Sequence, residues 1–76
     1  MDRGRGHENI QLIIDPGQVF FLKFILEGYD NLFILSTIDR EKGVVRIAFP
    51  ASEKKLLNNI LNTLKDKIKA HEIIKN

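Results

Sequence analysis

Leu32–Phe49 reads LFILSTIDREKGVVRIAF, two apolar alternating runs either side of a polar loop, and its reading decides the fold. LFILSTID and GVVRIAF are predicted strands of a hairpin closed by DREKG, Asp39–Gly43. Side-chain sorting sets the register. With Ile38 opposite Val44, Phe33 faces Phe49, Leu35 faces Ile47 and Thr37 faces Val45. The other side then carries Leu32, Ile34, Ser36 and Ile38 with Val44, Arg46 and Ala48. A slip of one residue would mix the two sets.

Upstream, Val19–Leu35 (VFFLKFILEGYDNLFIL) holds four of the five phenylalanines. Asp15-Pro16-Gly17-Gln18 is a helix start: Asp15 is a good N-cap, Pro16 suits the first position, and Gln18 sits where a capping box wants it. At 100° per residue, Val19, Phe21, Leu22, Ile25, Leu26 and Tyr29 share one broad face, with Lys23 and Glu27 opposite. Phe20 and Phe24 fall outside that face. The helix is expected to stop near Gly28 as a C′ residue, with Tyr29 folding back on Phe24 and Asp30-Asn31 continuing the turn. In EGYD, the structural reading has Glu27 solvated, Tyr29 packed and Asp30 in a turn; the functional one has Glu27 and Asp30 touching a ligand or partner.

Before the first helix, NIQLIID alternates Ile10, Leu12 and Ile14 against Asn9, Gln11 and Ile13, a strand with one strongly apolar face. Residues 1–8 read as a flexible polar tail and 9–76 as a single domain. After the hairpin, Pro50 ends the strand and Ser52 is the expected cap of a second helix. Leu56, Leu57, Ile60, Leu61, Leu64 and Ile68 form its apolar stripe, and Lys65, Lys67 and Lys69 lie where the dipole favours cations. HEIIKN reads as a short fourth strand or a tail.

The order β-α-β-β-α, with a fourth strand if HEIIKN pairs, predicts an α+β two-layer sandwich of ferredoxin-like type, both helices on one sheet face. A right-handed crossover makes the first two strands parallel. Ile10, Leu12, Ile14, Phe33, Leu35, Val45, Ile47 and Phe49 suffice as the covered face. The second face should be wet, yet Ile13, Leu32, Ile34, Ile38, Val44 and Ala48 point there. That surplus, together with Phe20 and Phe24, predicts burial of one of the two surfaces in a homodimer. Gln11, Ser36 and Arg46 interrupt the apolar face. Arg46 has the fork to grip a small anionic ligand, with pairing to a Glu or a backbone carbonyl across a dimer as the favoured reading of this side chain.

The chain has 76 residues, no cysteine and a net charge of +2. A domain this small is marginal, no disulfide or thiolate metal site assists it, and oligomerisation is the remaining staple. The charge is too small to argue for nucleic acid. A sheet that stacks bases needs aromatics on its central strands, and the first strand here has none, so a nucleic-acid accessory domain is the alternative function and not the favoured one. MDRGRGHEN has no apolar h-region, and Lys23, Glu27 and Asp30 break the apolar run, so a cytoplasmic protein with no membrane span is expected. His7 and His71 lack metal-like partners, the glycines match no phosphate loop, and Ser36, Ser52 and Thr63 carry no nucleophile signature. Asp15, Asp30 and Asp39 each sit beside a turn or cap. The expectation is no enzyme, no catalytic residue, no metal and no cofactor.

KFILEGYDN, then STIDREKGVVRI with Pro50 closing it, resembles a small bacterial family, domain of unknown function 4911. The likeness runs from about Ile10 to Ile68, through Lys23, Phe24, Leu26, Glu27, Tyr29 and Asp30 and then Thr37, Asp39, Gly43, Val45, Arg46 and Pro50. It implies no known activity. A fainter resemblance, in element order and in Asp15-Pro16-Gly17, is to ACT-type regulatory domains, and implies small effectors bound at dimer interfaces.

Overall fold

The computed structural model describes residues 7–70 and, as a strand, 72–75. Its elements are β1 (His7–Ile13), a 3-10 turn (Pro16–Gln18), α1 (Val19–Glu27), β2 (Ile34–Asp39), β3 (Val44–Pro50), a second 3-10 turn (Ala51–Glu53), α2 (Lys54–Ile68) and β4 (Glu72–Lys75). The expected tail overlaps β1 at His7 and Glu8, which pair with Pro50 and Phe49; residues 1–6 lie outside the described residues.

The fold is α+β, an antiparallel sheet with two helices. The strands stand in the order β2-β3-β1-β4. β3 is antiparallel to both β1 and β2, so those two run parallel with β3 between them. HEIIKN is a strand over Glu72–Lys75, antiparallel to β1.

The core forms on one sheet face. Ile10 and Leu12 of β1, Ile14 just beyond it, and Val45, Ile47 and Phe49 of β3 meet Val19, Leu22 and Leu26 of α1 and Leu57, Ile60, Leu61 and Ile68 of α2 in one buried cluster. Period-2 alternation in the strands and the 3.6-residue stripe of α2 turn these side chains to a common interior. At its edge Lys67 Nζ lies 5.3 Å from the centroid of the Phe21 ring, tying α2 to α1.

Several local expectations are corrected. The hairpin keeps its register over Ile34↔Ala48, Leu35↔Ile47, Ser36↔Arg46 and Thr37↔Val45, but a bulge then sets Asp39, not Ile38, opposite Val44. The extra residue lets the Asp39 carboxylate accept the Lys42 amide at 3.1 Å and hold the turn. Leu32 packs against the core instead of joining the open face; it lies with Phe33 in the bend before β2, so strand alternation does not govern it. Asp15 caps a 3-10 turn through Gly17 N (3.0 Å), and Gln18, the residue before α1, makes no side-chain cap bond. Ser52 does not cap α2; it lies within the 3-10 turn that leads in.

The end of α1 also differs. Gly28 is right-handed (φ −67), and Asp30 (φ 54) and Asn31 (φ 64) take the left-handed conformation. Short polar side chains tolerate that region, so the reversal falls two residues later than glycine alone suggested. Tyr29 packs edge-on against Phe33, centroids 5.6 Å apart, and not on Phe24. Phe24 lies opposite Leu22 and Leu26 on the helix and cannot reach the interior.

Gly43 ties the hairpin turn to the end of β1. It is buried, with φ +75, and its carbonyl accepts Ile14 N at 2.9 Å. The next amide, Asp15 N, donates to Ile68 O at the end of α2, also 2.9 Å.

Candidate binding surfaces

The sheet face away from the helices is arranged in cross-strand rows. Asn9, Ala48 and Ile34 form one, Gln11, Arg46 and Ser36 the next, and Ile13 with Val44, beside the bulged Ile38, the third. Paired residues share a face, so each row is a line of side chains on the open side. Ile34 is 52% exposed and Ile38 48%; Ile13, Val44 and Ala48 are half-buried. Arg46 and Ser36 are exposed and Gln11 is half-buried. The sheet thus brings the three predicted ligand contacts into one row, flanked by the predicted interface residues Ile13, Ile34, Ile38 and Val44. That Gln11 is the direct neighbour of Arg46 was beyond reach of sequence, because it depends on β3 lying next to β1.

The second surface is the outer side of α1. Phe20 is 75% and Phe24 72% exposed. Lys23 and Glu27, both exposed, lie on one flank of this pair. The other flank falls into an open groove of about 300 Å³ between the helices, lined by Ile25, Tyr29, Leu56, Asn59, Ile60, Thr63 and Leu64. The groove was not foreseen; its sequence signal was the width of the α2 stripe, whose Leu56 and Leu64 stay only partly covered.

The aspartates weighed for chemistry have turn roles: Asp15 and Asp39 accept backbone amides, and Asp30 sits in the left-handed turn. Among the described residues no cluster of three or more His, Cys, Asp or Glu could hold a metal ion, and no helix is long and apolar enough to cross a membrane. His71 lies outside the described residues.

Fold and surfaces together define a small α+β domain with one covered and one open sheet face. The chain belongs to the family described as Domain of unknown function (DUF4911), whose model matches residues 12–68. The matched span runs from β1 to the last residue of α2 and takes in Phe20, Phe24 and the Gly43 turn. No curated protein and no solved structure matches the chain.

Proposed function

We propose that this domain is a non-enzymatic, homodimeric binding module of ferredoxin-like type whose open sheet face holds a small anionic ligand. The element order and the antiparallel sheet with β1 and β3 at its centre support the ferredoxin-like label. The narrower ACT-like label leans on Asp15-Pro16-Gly17 alone. The observation that carries the reading is the row Gln11–Arg46–Ser36, running across three strands between two rows that are apolar but for Asn9. A guanidinium fork beside an amide and a hydroxyl suits a carboxylate. The apolar rows on either side suit the short hydrocarbon part of the same molecule, in the way binding sites pair a few polar groups with apolar walls. Nucleic acid is the weaker reading, because the open face of β1 and β3 offers no Phe, Tyr or Trp ring for base stacking and its one imidazole, His7, stands at the very start of β1.

Titration of the full chain with octanoate, followed by amide and methyl shifts, tests this. The largest shifts should fall on Gln11, Ser36, Arg46 and the methyls of Ile13, Ile34 and Val44, and inorganic phosphate should bind more weakly. Arg46→Gln should weaken octanoate by roughly 10–100-fold, the worth of a hydrogen bond to a charged group. Shifts confined to the helices, or an Arg46→Gln protein that binds as the parent does, would refute the site.

A further inference from the structure

We infer that the copies associate through the outer side of α1, in an antiparallel pair about a two-fold axis, leaving the open sheet face free for ligand. This rests on the homodimeric reading above and decides between its two surfaces.

On a wheel at 100° per residue, the buried residues Val19, Leu22 and Leu26 centre on one direction, and Phe24 points almost opposite. Phe20 lies about 40° from Phe24, and Lys23 and Glu27 follow on the same flank. A helix apolar on both sides is one that packs on both sides.

The charges on this flank are self-complementary in one orientation. A two-fold perpendicular to the helix, at the height of Ile25, brings Phe24 against its copy. It also sets Lys23 of each chain beside Glu27 of the other, on the same flank, twice. A parallel pair would place these charges on opposite flanks, where they could not meet. Only the antiparallel pair uses both features.

The sheet face lacks this property. Arg46 lies on a central strand, so copies stacked face to face bring two guanidiniums together near the axis. Carboxylates stand at one end of that face: Asp39, whose Oδ1 is taken by the Lys42 amide, and Glu72, at the β4 position paired with Ile13. Neither lies in the row that holds Arg46, so the like charges brought together near the axis oppose such an interface. Nor can both surfaces join copies at once. They lie on opposite sides of a two-layer domain, and two isologous contacts on opposite sides propagate into an open filament instead of closing.

The area sets the strength. Two aromatic rings, each burying about 150–250 Å² when fully covered, are here already about a quarter covered. With the stems of Lys23 and Glu27 they give roughly 400 Å² per copy, half the standard ~800 Å², so the dimer is weak and transient.

Sedimentation of the full chain from about 10 µM to 1 mM, with folding checked by circular dichroism, reads this directly. The parent should dimerise with concentration, Phe24→Asp should abolish the dimer, and Ile34→Asp should leave it. Lys23→Glu or Glu27→Lys alone should weaken association roughly 3–10-fold, two rim pairs being turned to repulsion. The double exchange, or a mixture of the two single variants, should restore it, since each then places opposite charges across the axis. A dimer broken by Ile34→Asp and untouched by Phe24→Asp overturns the α1 assignment while the homodimeric reading stands. A monomer at every concentration overturns both. Charge variants without effect, or without rescue, overturn the antiparallel pair.

Discussion

Gly43→Ala should leave the chain largely unfolded at ambient temperature or lower its melting temperature by about 10 °C or more. A Cβ at this position would lie 2.0 Å from Ile14 O and 3.2 Å from Pro16 N, both backbone atoms, at φ +75. The left-handed conformation costs a side chain about 1–2 kcal/mol. Relieving the contact means moving the Ile14–Asp15 backbone, at about 1–3 kcal/mol for forced overpacking. It also strains the Ile14 N to Gly43 O bond, worth about 0.5–1.5 kcal/mol net. Together these reach about 2.5–6.5 kcal/mol, against a total of about 4–11 kcal/mol for a chain of this length at the usual stability per residue. At about 4–8 °C per kcal/mol, even the lower figure moves the transition by about 10 °C. Gly17→Ala is the matched control. Its Cβ would meet only Asp15 Oδ1, at 3.6 Å. Thermal unfolding should show it neutral or slightly stabilised, by up to about 1 kcal/mol through the unfolded chain.

Phe49→Ala should cost about 3–5 kcal/mol, and Phe24→Ala less than about 0.5 kcal/mol. Phe49 is 1% exposed, on central β3, in the core cluster that both helices join. Its removal takes away the transfer energy of a full ring and leaves a cavity that close-packed neighbours fill only in part. Phe24 at 72% exposed leaves no cavity, and in a dilute monomer its ring contributes little. Denaturant midpoints measured at low micromolar concentration, below any self-association, compare the two. Equal losses would mean that α1 is turned about its axis from the arrangement described.

The covered face was legible in the sequence because its signals are local and mutually consistent. Alternation in β1 and β3 and the leucine–isoleucine stripe of α2 each predict one face, and the structure joins those faces in one core. The hairpin register followed from side-chain sorting through Thr37 and failed at Ile38. A bulge inserts one residue without disturbing the apolar pattern beyond it, so alternation carries no mark of it. Gly28 misled for a related reason. Glycine is the commonest left-handed residue at a helix end, but the Asp30-Asn31 pair accepts that conformation too, and the chain makes its reversal there. The caps at Asp15 and Ser52 were displaced by 3-10 turns, which residue preference does not distinguish from the first turn of an α-helix.

The candidate surfaces were legible as residues but not as places. Phe20 and Phe24 stood outside the core face on the wheel, and the structure leaves both exposed. Arg46 and Ser36 were neighbours from the hairpin alone. Gln11 joined them only when β3 was found beside β1, and the inter-helix groove needed α1 and α2 side by side. Long-range neighbours of this kind come from topology, which no local pattern encodes.

The most direct test of the account is to ask which apolar surface water still reaches as the protein is concentrated. An inert soluble nitroxide broadens the signals of exposed groups, and can be applied to isotope-labelled full chain at low and high concentration. The account predicts that the Ile34 and Ile38 methyls stay broadened at both concentrations and are shielded when octanoate is added. The Phe20 and Phe24 rings should be broadened in dilute protein and shielded in concentrated protein. Shielding of Ile34 and Ile38 by concentration alone, with Phe20 and Phe24 left open, would contradict it.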